Sequence, residues 1–136
     1  MAYTNRNAIS AYVNTADLIP FLDDDGDGVE DTGLLDQIIA TAGTKIDGWL
    51  SSIYATPFSP TPAKVASFTT IIVCYMLYRR RLVPDEQNPH AMEYKECLAQ
   101  LTKIGSGELE LDLNFPRQFT QGAAVTVPII WNGTTL

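Results

Sequence analysis

The stretch "AKVASFTTIIVCYMLYRRRL", residues 63–82, decides the fold. From Val65 to Tyr78 it is apolar on nearly every side, and three arginines close it. A helix with no polar face must be covered from several directions, so this segment reads as the central helix of a bundle. Its apolar run falls short of the about 18 residues that a membrane span needs. Arg79, Arg80 and Arg81 suit a helix C-terminus, where positive charge meets the negative end of the helix dipole. Pro62 is placed to be the first helical residue, since its missing N–H would have no partner there anyway.

The flanking segments supply the cover. Residues 32–55, "TGLLDQIIATAGTKIDGWLSSIYA", carry Leu34, Leu35, Ile38, Ile39, Ala42, Ile46, Trp49, Leu50 and Ile53 at three- and four-residue spacing. That is one face of an amphipathic helix of about six turns. Gly43 and Gly48 each weaken it by up to about 1 kcal/mol relative to Ala, and their smallness suits the close approach of another helix. Residues 56–62 hold three prolines and form a connection. Residues 90–107, "HAMEYKECLAQLTKIGSG", place Met92, Tyr94, Cys97, Leu98, Leu101 and Ile104 on one face, with Gly105 and Gly107 ending the helix. A short helix is expected within residues 12–22, capped by Asn14 or Thr15 and limited in regularity by Pro20. From Asn114 onward the character changes. "AAVTVPIIW" is β-prone, but Pro128 argues against a central strand. The expectation is an all-α chain: a small bundle of three main helices plus a short N-terminal helix over residues 1–113. An extended arm with short β segments follows over residues 114–136.

Between the first two helical patterns lies "LDDDGDGVEDTGLLD", residues 22–36. Aligned on the EF-hand template, Asp23, Asp25 and Asp27 take positions one, three and five. Gly28 takes the sharp turn at six, Val29 offers its carbonyl at seven, and Asp31 stands at nine. Position twelve requires a bidentate Glu, and Leu34 stands there instead. Three alternating carboxylates repel one another, and a hard divalent cation relieves that repulsion. The missing ligand implies weak calcium affinity, about 10⁻⁴ M or poorer. The competing reading is a turn-and-cap device in which Asp31 or Thr32 caps the long helix. In either case the loop is structural, and no other cofactor is expected.

The chain has 136 residues and a formal net charge of -7. The acidity is local. Residues 1–60 hold nine Asp/Glu against Arg6 and Lys45, whereas residues 61–136 hold seven of each sign. Such a balance disfavours sequence-specific nucleic-acid binding, which needs clustered Lys/Arg. Cys74 and Cys97 lie inside helical patterns with no CxxC spacing and are expected as buried thiols. Residues 1–10 are polar and do not resemble a secretory leader. His90 is the sole histidine and is expected at the surface or as a cap. The arginine run is expected as a solvated helix end, with phosphate contact as its sharper alternative. Ser51 and Ser52 have no base or glycine elbow beside them, and the Gly-Ser-Gly at 105–107 is too short for a phosphate loop. No acid–base, nucleophile or catalytic metal set emerges, so an enzyme is not expected.

The order of elements resembles a known family. A "TADLI" helix precedes the "DDDGDGVED" loop, then a helix with "IDGWLSSIYATPF", an aliphatic helix ending "CYMLYRRR", and a last helix "YKECLAQLTKIGSGELEL". This resembles the phage Mu-like family of small virion neck proteins, related to head–tail connector and adaptor proteins. Ile46, Asp47, Leu50 and Tyr54 match that family's second-helix pattern, with Trp49 as its aromatic. Tyr94, Lys95, Leu98, Leu101, Ile104, Gly105 and Leu109 match the terminal one. The resemblance spans residues 13–113, and the arm departs from it. It implies a connector subunit that forms a ring with copies of itself at the portal, joined to tail or head-completion proteins. It would be made in the host cytoplasm, carried into the virion, and free of membrane. Arg79, Arg80 and Arg81 are then candidate interface residues. Ile129, Ile130 and Trp131 would anchor the arm, either on a neighbour by edge pairing or on its own bundle. A calcium-dependent protein-binding module built on residues 23–31 is the alternative from a different class.

Overall fold

The computed structural model describes residues 2–58 and 60–111. They form α1 (Arg6–Ser10), α2 (Thr15–Leu22), α3 (Leu34–Leu50), α4 (Ala63–Arg80), a single 3₁₀ turn at Asp85–Gln87, and α5 (Ala91–Ser106). No strand occurs among the described residues, and the β segments expected in the arm lie outside them.

α4 is central. It packs against α1, α2, α3 and α5. Val65, Phe68, Ile72, Val73, Cys74 and Leu77 are all buried. Such all-round burial forces the polar atoms of the helix to find partners within it. Thr69 and Thr70 donate their hydroxyls to the carbonyls of Val65 and Ala66, at 2.7 and 2.9 Å. Thr4 reaches the Thr70 hydroxyl at 2.6 Å from the N-terminal segment. The helix begins at Ala63, with Pro62 as its cap rather than its first residue. No helix among the described residues is long and apolar enough to cross a membrane.

α3 buries Leu35, Ile38, Ile39, Ala42, Gly43, Ile46 and Leu50, as its periodicity requires. It is shorter than residues 32–55. Its start is set by Gly33 at φ 78°, with no side-chain cap, so neither Asp31 nor Thr32 caps it as expected. Its end comes at Leu50, after which the Leu50 carbonyl accepts from both Ile53 and Tyr54 N–H and turns the chain. Ile53 and Tyr54 stay buried through that turn.

α5 ends on Gly107, at φ 90°, where the Lys103 carbonyl accepts from Glu108 N–H at 3.0 Å. Gly105 does not end the helix as expected; it lies inside α5. A Cβ there would stand 2.6 Å from the Trp49 carbonyl oxygen. Gly48 does not provide the close helix approach expected of it, since a Cβ there would meet nothing within 4 Å, and Gly105 does; Gly43 is buried within α3.

The N-terminal segment holds a short helix that its polar composition hid. Asn5 caps α1 by accepting from Ala8 N–H at 2.9 Å. Tyr3 is buried and donates to Asp47 Oδ1 at 2.7 Å while accepting from Phe58 N–H at 3.0 Å. Burial, reinforced by the Asp47 hydrogen bond, pushes the Tyr3 phenol up to about 12. α2 is capped by Asn14, which accepts from Ala16 N–H at 3.0 Å.

Candidate functional site: the acidic loop and its arginine clamp

The acidic loop leaves α2 at Asp23 and returns to α3 at Gly33. Its backbone winds through Gly26 and Gly28, both at positive φ, where a side chain would be strained. Asp23 organises the turn. Its Oδ1 accepts from Gly26 N–H at 2.8 Å and Asp27 N–H at 3.2 Å, and its Oδ2 accepts from Gly28 N–H at 2.7 Å. Asp25 accepts from Asp27 N–H at 3.1 Å, and Asp27 from Val29 N–H at 2.9 Å. Asp31 closes the loop, accepting from Asp24 N–H at 3.1 Å while its own N–H meets the Leu22 carbonyl at 2.8 Å. Asp31 thus fastens the loop to itself instead of capping α3.

The result is a convergence. Asp23, Asp25, Asp27 and Asp31 each offer a carboxylate oxygen within 4.8 Å of the others. The electrostatics follow from the crowding. Desolvation works to raise the Asp23 carboxyl, but the Gly28 N–H, the hydrogen bond with Asp25, and the Gly26 and Asp27 N–H groups hold it below its ordinary value. For Asp25, the Asp27 N–H works downward, yet the hydrogen bond with Asp23, desolvation and the Asp27 charge leave it raised. One carboxylate is favoured as the anion at its neighbour's expense, the pattern of groups sharing too little positive charge. A hard cation with oxygen ligands suits that donor set. Position twelve does not contribute, because Leu34 begins α3 and packs against the core. Asp36 is not in the convergent set; it lines a cavity of about 620 Å³ with Arg6 and Glu30. Glu30 is paired there with Arg6. Val29 leaves its side chain 64% exposed at the loop tip.

The arginine run does more than end a helix in solvent. α2 has no basic residue in its own last turn. Its final carbonyls are instead taken by α4's arginines. Arg80 donates to the Phe21 carbonyl at 3.0 Å and to Asp24 Oδ2 at 2.6 Å. Arg81 donates to the Pro20 carbonyl and to the Asp23 carbonyl at 3.0 Å. Two side chains from the far end of the bundle thus supply the C-terminal cap that α2 lacks. Arg79 points elsewhere and reaches the Tyr75 hydroxyl at 3.3 Å. Ile129, Ile130 and Trp131 lie outside the described residues.

His90 occupies the N-cap position of α5, as one of its two expected roles has it, but its side chain makes no capping bond and is not at the surface. It is 7% exposed and packs edge-on against Tyr78 and Tyr12, with ring centroids 5.2 and 6.4 Å away. Its Nε2 has no hydrogen-bond partner among the described residues. Burial holds it below the ordinary imidazole value, with Glu93 pulling weakly the other way. Its sequence neighbours gave no hint, because both rings that bury it come from other helices' ends. Cys74 and Cys97 are free and buried.

Comparison with known proteins adds one finding. A search of curated proteins gives no match. The family model described as "Bacteriophage Mu, Gp36" matches residues 3–127, nearly the whole chain, and includes the loop, the clamp and α1 to α5 of the described residues. The chain belongs to the bacteriophage Mu Gp36 family, a Mu-like phage group.

Proposed function

We propose that this protein is a structural subunit of the phage head–tail connector or neck. It would assemble as a ring of its own copies at the portal, complete the head and join the tail. The supporting observation is the family match over residues 3–127. The mechanism is assembly rather than catalysis, its partners being copies of itself, the portal, and tail or head-completion proteins. Its setting is the host cytoplasm during assembly and then the virion. Light scattering and negative-stain imaging of the purified chain, alone and with portal, test this. The expected result is a closed ring, alone or on the portal. A chain that stays monomeric and ignores the portal overturns the reading.

A calcium-dependent binding module is the second reading, favoured by the four converging carboxylates. With a dissociation constant of about 10⁻⁴ M, about 1 mM calcium would stabilise the fold by roughly 1.4 kcal/mol. Melting of chelator-stripped protein with and without calcium measures this, and an unchanged midpoint at millimolar calcium removes the ion from the account.

A further inference from the structure

α3, α4 and α5 enclose a concavity of about 420 Å³ lined by Lys45, Tyr75, Met76, Arg79, Arg80 and Tyr94. Its charge is out of character. The chain carries nine Lys/Arg and a net charge of -7, yet three of those cations line this one hollow and no carboxylate does. Arg80 is occupied by Asp24 of the loop base. Neither of the other two forms an ion pair among the described residues, although Asp85 attracts Arg79 at longer range. Arg79 makes its one hydrogen bond among the described residues to the Tyr75 hydroxyl, which itself donates to Asp85 at 2.9 Å. Lys45 and the Tyr94 hydroxyl make no hydrogen bond among the described residues. The wall is apolar: Tyr75 and Tyr94 stack with centroids 3.8 Å apart and planes 2° from parallel, and Met76 lies beside them. Such a hollow fits a segment that brings carboxylates next to an aliphatic side chain.

The chain carries one. At the tip of the acidic loop Asp25 and Asp27 are exposed, and Val29 is 64% exposed between Gly28 and Glu30. Nothing in the loop's own geometry calls for a valine there, since it contributes only its N–H, to Asp27. We propose that the loop tip of one copy docks in this concavity of a second copy, with Asp25 and Asp27 facing Lys45 and Arg79, and Val29 against Met76 and the tyrosine rings. The contact joins two different patches of the chain, so it can pass from copy to copy as a ring requires. The inference rests on the ring-forming reading above. Duplex DNA is the competing occupant of a basic hollow, and the net charge of -7 opposes it.

The test is light scattering of the full chain at low salt with chelator present, alone and with portal. Lys45→Glu/Arg79→Glu and Asp25→Lys/Asp27→Lys should each weaken self-association at least tenfold. Mixing the two reversed proteins should restore association between them. Val29→Ser, which leaves every hydrogen bond of the loop in place, should weaken it several-fold. If the wild-type protein associates and the reversals change nothing, or the mixture fails to recover, this contact is wrong and the ring reading stands. If the wild-type protein never associates, alone or with portal, both fall. A labelled DNA duplex that binds wild type and is lost in Lys45→Glu/Arg79→Glu assigns the hollow to phosphate and overturns the proposal.

Discussion

Replacing Gly105 by alanine puts the α3–α5 crossing to a direct test. The new Cβ would stand 2.6 Å from the Trp49 carbonyl oxygen, which is backbone and cannot rotate away. A carbon and a carbonyl oxygen normally sit about 3.3 Å or more apart, so the two helices must separate by roughly 0.7 Å. Overpacking of that kind costs about 1–3 kcal/mol. Alanine returns about 0.8–1.0 kcal/mol because position 105 lies inside the helix. The net effect is a loss of up to about 2 kcal/mol, or a fall of up to about 8 °C in the melting midpoint for a chain of this size. Gly48→Ala is the matched control. It also sits in a helix interior, but its Cβ would meet nothing within 4 Å. That variant should gain about 0.5–1 kcal/mol. Chemical denaturation of both variants gives the two signs in one experiment. A Gly105→Ala protein stabilised as much as Gly48→Ala would refute the close approach, and with it the packing of α5 on α3.

Three further outcomes follow from the same geometry. Burial pushes both cysteine thiols up to about 12, so neither Cys74 nor Cys97 should react with a thiol reagent at pH 8 until the protein is unfolded, when both should titrate. His90 is held neutral by burial, and its folded pKa lies below its unfolded one. Its contribution is intact above about pH 6.5 and is lost as the pH falls below that value toward the folded pKa, because only the unfolded chain then takes up the proton. A His90→Leu variant should therefore show a shallower loss of stability between pH 7 and 5, measured by denaturant midpoint. Arg80→Ala and Arg81→Ala should each cost about 1 kcal/mol by uncapping α2, and hydrogen exchange should quicken at the amides of residues 21–24 before it does in α4.

The three long helices were legible in the sequence because each has a pattern that only one arrangement satisfies. α4 has no polar face, so it had to be central; α3 and α5 each have one apolar face, so they had to lie against it. The Asn14 cap and the turn at Gly107 were legible too, since they depend on residues within one turn. What escaped detection depends on partners far along the chain. Five residues cannot display a helical period, so α1 was hidden, and Tyr3 holds the N-terminal segment down through Asp47 and Phe58. Gly105 looked like a helix end because a stop signal and a packing glycine are the same residue in sequence. His90 looked solvent-bound because its burying rings, Tyr12 and Tyr78, lie 78 and 12 residues earlier in the chain. In the acidic loop, the spacing of Asp23, Asp25, Asp27 and Asp31 anticipated their convergence, but not that Asp31 would fasten the loop and leave α3 to begin on a bare glycine.

The arginine clamp has a consequence for the order in which the chain matures. α2 ends at Leu22, but its cap comes from Arg80 and Arg81, 56 to 61 positions later. Tyr3 likewise waits for Asp47 and Phe58, and Thr4 for Thr70. At about 5–20 residues per second, a ribosome delivers those arginines roughly 3–12 s after the loop itself has been made. Throughout that interval the Asp24 carboxylate and the last carbonyls of α2 stand in the nascent chain without the cations that later hold them. The first quarter of this protein is therefore synthesised early and completed late, and the end of α4 is the event that finishes it.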